Sequence, residues 1–358
     1  MISPYSDLPS RSFWKGAVSG RSPETVSGLW QPKFHFAPDT RIATAGSCFA
    51  QHISRYLRAR NAAVVDLEPP PLGLSAANAM KYGYGIYSAR YGNIYTVRHL
   101  LQLTEEALGR FAPSDAVWER NGRFFDAMRI GVEPGGLPSA KAVQRHRQQH
   151  LAQVRRLFAK TDVFVFTLGL TEAWTHAESG TVYPTAPGTI AGSYRPEVHA
   201  FRNFDFLDVY KDFVKFHRIA TKRNPGLKFL LTVSPVPLAA TASDKHVLVA
   251  TTYSKSVLRA VAGKLAETFE NVDYFPSFDL LSSASTRGVF HSDDARQITE
   301  PGVEAVMRIF FDAQPALAQA SAPVAAGEQD EGRAAGRTPE DRAAEAVCED
   351  ILLDAFSR

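Results

Sequence analysis

Arg41-Ile42-Ala43-Thr44-Ala45-Gly46-Ser47-Cys48-Phe49-Ala50-Gln51-His52-Ile53 is the stretch on which the fold turns. Arg41 to Ala45 is a short apolar strand, Gly46 breaks it, and from Cys48 to Arg60 apolar residues recur at helical spacing through Phe49, Ile53, Tyr56 and Leu57. Ser47 therefore falls at a strand-to-helix corner. Such a corner exposes a hydroxyl, and the first N–H groups of a helix, which lack partners inside it, can stabilise a developing oxyanion. A Ser here also makes a good helix cap, a commoner use than catalysis. Cys48 is the rival nucleophile, but one residue further in it is placed to pack into the core.

Working outward, further β-rich runs lie at Ala62 to Leu67, Asp162 to Thr167, Lys228 to Val233 and Val272 to Phe275. Helical spacing fills the intervals, best at Thr96 to Leu108, Ala140 to Ala159, Phe204 to Arg223, Val249 to Phe269 and Gly302 to Phe311. The alternation predicts an α/β fold with five parallel strands, an open doubly wound sheet covered on both faces and right-handed crossovers. Between strands two and three, about 68–161, lies an insertion longer than an ordinary crossover. It contains an expected hairpin around Trp118 to Val132 and is expected to cap the active edge. Residues 1–40 read as an irregular arm pinned on the domain by its aromatics, and 41–312 as the catalytic domain. From Ala313 the composition turns to Ala, Glu, Gly and Arg; 313–338 reads as a linker and 339–358 as a helix that docks on this domain or on a partner. Neither an internal repeat nor a sustained heptad is present.

Forty basic and thirty-seven acidic residues leave a formal charge of +3, with no basic run to serve as a nucleic-acid footprint. Cys48 and Cys348, the only cysteines among 358 residues, assemble neither a disulfide framework nor a thiolate metal site; a reducing, cytoplasmic setting is expected. No apolar stretch has the length of a signal core or a membrane span. His146 and His150 are four apart but lack a third ligand, so a solvated helix face is expected and no metal. Gly83-Tyr84-Gly85 and Gly135-Gly136 neither follow a strand nor open a helix, so no nucleotide cofactor is expected.

Ligands of doubly wound sheets bind beyond the carboxyl ends of the strands. After the strands come Gly46-Ser47-Cys48, then Gly169-Leu170-Thr171-Glu172, then Ser234-Pro235-Val236, then a loop with His291, Asp293 and Asp294. Nucleophile, acid and base types converge there. Trp174, Tyr183, Trp118, Tyr91 and Tyr95 are expected near that edge or its cap, where rings stack on sugars or seal a core. Arg129 and Arg195 are candidates, on position alone, for anchoring an acidic group.

Gly46-Ser47-Cys48-Phe49-Ala50 is the name-giving motif of the GSCFA family, a branch of the GDSL or SGNH hydrolase-like superfamily. Tyr91-Gly92-Asn93-Ile94-Tyr95, Thr167-Leu168-Gly169-Leu170-Thr171-Glu172-Ala173-Trp174 and Ser234-Pro235-Val236 resemble that family too, over roughly residues 5–312. The resemblance implies a three-layer flavodoxin-like sandwich in which Ser47 attacks an acyl carbonyl. It also implies an oxyanion hole from a glycine after strand two, for which Gly92 fits, and an Asn after strand three, with the base from an Asp-x-x-His pair after strand five. The third block departs from this: Gly169-Leu170-Thr171-Glu172 has no Asn, leaving Thr171 as a donor. The last block departs further, since Asp294-Ala295-Arg296-Gln297 puts Gln297 where the base belongs, and Gln cannot accept a proton at neutral pH.

His246 and His291 are the histidines near the correct edge, and either is also an ordinary exposed loop residue. His246 is placed ahead, because it sits in a long loop after Ser234-Pro235-Val236 that can fold back, with Glu172 or Asp294 orienting its ring. The candidate catalytic set is Ser47, His246, His291, Asp294 and Glu172; the candidate oxyanion or substrate set is Cys48, Gly92, Asn93, Gly169, Thr171 and Trp174. The expected activity is removal of a small acyl group such as acetyl from a carbohydrate. Its alternatives are an acyltransferase using acetyl-coenzyme A to decorate a polysaccharide precursor, and a non-catalytic glycan- or partner-binding protein.

Overall fold

A computed structural model describes residues 3–319. The strands in chain order are β1 (Ile42–Gly46), β2 (Val117–Arg120), β3 (Arg123–Asp126), β4 (Val163–Leu168), β5 (Glu172–His176), β6 (Val182–Tyr183), β7 (His199–Asn203), β8 (Lys228–Val233) and β9 (Val272–Tyr274). The central sheet has four parallel strands in the order β1-β4-β8-β9, which are the expected first, third, fourth and fifth. Period-two alternation buries both faces. Ala43, Ala45, Phe164, Phe166, Phe229 and Leu231 face a layer built from helices Val97–Ala107, Ala140–Leu157, Phe206–Arg223 and Val247–Thr268. Ile42, Val163, Val165 and Leu230 face helices Phe49–Ala59 and Glu300–Ala313.

The expected second strand is not a strand. Residues 62–67 make a single parallel bridge, Val64 to Ile42, before leaving the sheet. The run Pro69-Pro70-Pro71 comes next, and proline has no N–H to give a ladder. The outer edge of β1 is satisfied in three pieces instead. The Ile42 N–H donates to the Ala63 carbonyl (2.9 Å), the Thr44 N–H to Ser88 Oγ (2.9 Å), and the Ile94 N–H to the Gly46 carbonyl (2.9 Å).

Helix starts follow their caps. Thr96 Oγ1 accepts from the His99 N–H, Ser139 Oγ from Ala142, and Asp205 forms a capping box with Asp208. Before the first strand, Trp30, Phe34 and Phe36 are buried, and Trp30 stacks on Phe310 with centroids 5.6 Å apart. Past Ala313 the chain stays packed: the Gln314 side chain accepts from the Phe36 N–H (2.9 Å) and donates to the Phe34 carbonyl (3.2 Å). Leu317 is buried as well. The stretch 320–338 and the C-terminal helix expected over 339–358 lie outside the described residues.

Residues 68–161 contain the expected hairpin, β2 paired with β3 through Asn121-Gly122, and two of the layer helices. A buried charge network ties them together. His150 Nδ1 lies 2.7 Å from Glu68, Arg129 pairs with Asp126 (2.8 Å), and Arg147 bridges Asp126 (3.1 Å) and Glu106 (2.6 Å). This corrects two expectations. His150 is fully buried rather than on a solvated face, and Arg129 is held by carboxylates and the Arg90 carbonyl, not turned out to a ligand. Arg195 pairs with Asp115 at the surface.

The network makes the fold acid-sensitive. Burial, helped by the charge of Arg129, pushes the His150 imidazole down to about 4 from 6.5. Burial alone would raise Glu68, but bonds from His150 and the Arg90 N–H and the charge of Arg129 hold it down at about 2, from 4.5. Both folded values lie below their unfolded ones, so both contributions are complete above pH 6.5 and decline as pH falls: His150 from 6.5 to about 4, Glu68 from 4.5 towards 2. The urea midpoint should drop steadily between pH 7 and pH 4. A flat midpoint over that range would contradict a neutral buried His150.

Candidate active site

The corner predicted at Ser47 is present. β1 ends at Gly46, whose φ of +138° suits glycine alone, and a Cβ there would stand 2.5 Å from the Thr167 carbonyl oxygen. The helix begins at Phe49, flanked by Cys48 in helical conformation, and no side chain caps it. Ser47 is therefore not serving as a cap. Its N–H donates to the Thr167 carbonyl (3.3 Å), its carbonyl accepts from the Ala50 N–H (2.9 Å), and its Oγ is buried with no hydrogen-bond partner among the described residues.

Tyr91-Gly92-Asn93-Ile94-Tyr95 wraps this corner. The Tyr87 hydroxyl donates to Asn93 Oδ1 (2.6 Å) and lies 3.1 Å from the Ser47 carbonyl oxygen, while Asn93 Nδ2 reaches the Tyr95 hydroxyl (2.9 Å) and Cys48 Sγ (3.5 Å). A side-chain amide thus stands beside the nucleophile corner although the third block has no Asn. Gly92 has a left-handed φ of +67°, and a Cβ there would face Val132 and Arg129. Cys48 is half-buried beside Asn93 rather than sunk in the core.

Gly169 forms the other wall. Its N–H and that of Leu170 both donate to the Tyr95 carbonyl (3.1 and 2.9 Å), and its carbonyl accepts from Lys255 Nζ (2.7 Å). Lys255, 4 % exposed, was not singled out by the sequence reading; its signal is a lysine at an inward position of helix Val247–Thr268. A Cβ on Gly169 would stand 2.9 Å from Ser47 Cβ and 3.1 Å from the Tyr95 carbonyl. Gly169→Ala should therefore displace Ser47 and slow its reaction with a fluorophosphonate by roughly 10²-fold while the chain stays folded. An unchanged labelling rate would show that this wall does not set the position of Ser47. Thr171 is buried, its N–H donating to Ser254 Oγ (3.0 Å) and its own Oγ1 without a partner among the described residues.

The expected relay is not assembled. His246 is the exposed residue flanking helix Val247–Thr268, and its Nδ1 accepts from the Leu248 N–H (3.2 Å). His291 is half-buried and bridged through its backbone to Ile298; burial lowers its pKa and Asp294 partly offsets this. Neither ring bonds to Ser47 Oγ, which has no partner among the described residues. Asp294 instead braces its own loop, accepting from Ser292 Oγ (2.6 Å) and the N–H groups of Arg296 (2.8 Å) and Gln297 (3.0 Å). Glu172 accepts from the Thr241 hydroxyl (2.9 Å), and burial raises its pKa.

Beyond Tyr95 and Leu170 opens a cleft of about 280 Å³. Its far wall is a second, antiparallel sheet, β6-β5-β7, which the sequence reading missed. Trp174, on β5, lines the cleft and packs edge-on against Tyr194 (5.1 Å) and Phe201 (5.9 Å). The β2–β3 hairpin supports that wall through Trp118, 5.2 Å from Tyr183. Ser47 is separated from the cleft by the Tyr95–Gly169 crossing.

Among the described residues no helix is long and apolar enough to cross a membrane. No curated protein matches the chain. Among solved structures, a candidate GDSL-like lipase from Parabacteroides merdae aligns with 13 % identity over 80 % of this chain and 100 % of its own, at a TM-score of 0.31, too loose to carry an argument. The GSCFA family matches residues 41–310, from the start of β1 to the last long helix, and so spans the Ser47 corner, the Tyr91-Gly92-Asn93 segment and the Gly169 wall. The chain belongs to the GSCFA family.

Proposed function

We propose that this protein is a cytoplasmic serine-dependent acyl-ester hydrolase that removes a small acyl group such as acetyl from a carbohydrate. The observation that carries the reading is Ser47 Oγ, buried at a strand-to-helix corner, relieved of capping and without a hydrogen bond among the described residues. A buried orphan hydroxyl costs stability, and such costs concentrate at functional sites. Ser47 would attack the acyl carbonyl, and the N–H groups that open helix Phe49–Ala59 are the proposed donors to the resulting oxyanion. His246 is retained as the proposed base, reaching Ser47 by movement of the 237–246 loop, with His291 as the second candidate. Mass spectrometry of the chain after fluorophosphonate treatment tests the reading: a single adduct on Ser47 is expected, and no adduct overturns it.

An acyltransferase would use the same acyl-enzyme, with acetyl-coenzyme A as donor. Consumption of that donor only in the presence of a sugar acceptor would select it. The non-catalytic reading draws on one observation, the missing contact between Ser47 and either histidine. Glycan binding without labelling would select that.

A further inference from the structure

The cleft beyond Tyr95 has a composition of its own. Trp174 and Phe201 give it aromatic surface, and Glu172, Thr241 and His99 give it convergent polar groups. Neither Lys nor Arg lines it. His99 is 3 % exposed, and its Nδ1 is buried with no hydrogen-bond partner among the described residues. Burial and the charge of Arg147 push its pKa down to about 4, with the Met128 backbone and Asp126 pulling the other way, so the ring is neutral at physiological pH. A neutral imidazole offers one nitrogen as an acceptor.

Three ligand chemistries meet these walls differently. The phosphates of a nucleotide-like donor would find no Lys or Arg among the lining residues, and Lys245, whose charge reaches Glu172, lies outside them. A hydrocarbon chain would fill the volume but leave the His99 acceptor unanswered, while Glu172 and Thr241 already bond each other. A ring with apolar C–H faces and peripheral hydroxyls answers both the aromatic and the polar groups. We propose that this cleft binds an uncharged glycosyl ring, one C–H face on Trp174 and one hydroxyl donating to His99 Nδ1. The proposal rests on the carbohydrate esterase reading for its substrate class, and it makes the sugar bound there neutral. Binding itself requires no chemistry at Ser47.

The test is tryptophan fluorescence titration of the full Ser47→Ala chain with methyl β-glucoside, methyl β-xyloside, cellobiose and xylobiose. Methyl galacturonoside, coenzyme A and octanoate serve as counter-probes. At least one neutral glycoside should saturate with a Kd in roughly the millimolar range, unchanged between pH 6 and 8. Trp174→Ala and His99→Phe should each weaken it about tenfold, and Trp174→Phe should largely preserve it. If His99→Phe does not fold, the Trp174 pair still decides. Saturation by octanoate or coenzyme A without any by a neutral glycoside, or no saturation by any probe, would overturn the proposal. The two readings fail separately: a labelled Ser47 without glycoside binding removes this proposal alone, and glycoside binding without labelling removes only the catalytic one.

Discussion

Ser47→Ala is expected to abolish turnover of aryl acetates, lowering kcat/KM by about 10⁴-fold or more, and to leave the protein as stable as the parent or slightly more so. Both halves follow from one atom. Loss of a nucleophile removes the covalent route, leaving only what binding and the oxyanion donors supply. A buried hydroxyl with no partner carries a desolvation cost that an alanine methyl does not. Ser47 Oγ is such a hydroxyl among the described residues, so its removal should raise the thermal midpoint or leave it unmoved. A structural serine would behave in the opposite way, with activity retained and stability lost. Retained turnover in Ser47→Ala would end the serine-esterase reading; a large fall in midpoint would show that the hydroxyl has a structural use.

The second large effect concerns stability. Arg147 joins Glu106 and Asp126, with side chains 8 %, 10 % and 10 % exposed. Breaking a buried pair from one side strands the other charge, and Arg147→Met should cost about 3–5 kcal/mol. For a domain of this size that lowers the thermal midpoint by roughly 5–8 °C, readable by scanning calorimetry. Adding Glu106→Gln to the same chain should recover part of the loss, because one stranded carboxylate is then neutral. A midpoint within about 2 °C of the parent would mean that water reaches this network freely. The reaction at Ser47 should be little affected, since the network holds the 68–161 segment to its helices and not the corner itself.

The sequence made the scaffold legible where period and burial agree. β1, β4, β8 and β9 are compact runs buried on both faces, and the long helices begin within a few residues of their caps. Ala62 to Leu67 has the same composition but pairs only at Val64, because the chain runs straight on into Pro69-Pro70-Pro71 and the edge of β1 finds Ser88 and Ile94 instead. Local pattern cannot reveal that substitution. β6 is two residues long, and β5 (Glu172–His176) and β7 (His199–Asn203) mix charged and polar residues into their runs, so none of the three reads as a compact apolar strand. At the site, the Ser47 corner and its Gly169 wall were readable from order along the chain. The contact of the Asn93 amide with Cys48 was not, since it spans 45 positions of chain. The burial of His150 was equally hidden, because its partner Glu68 lies 82 positions away.

The three aromatics of the arm have a consequence for the order of synthesis. Trp30, Phe34 and Phe36 leave the ribosome well ahead of their partners, since Gln314 lies 278 positions after Phe36 and Phe310 stacks on Trp30. Until then one face of the sheet stays without its final helix, and Phe275, which also meets both Trp30 and Phe310, is left half-covered. The nascent chain therefore carries an oily seam that closes only when the last long helix arrives. Chaperone occupancy should persist through synthesis of the stretch between the arm and helix Glu300–Ala313 and end abruptly rather than decline in steps.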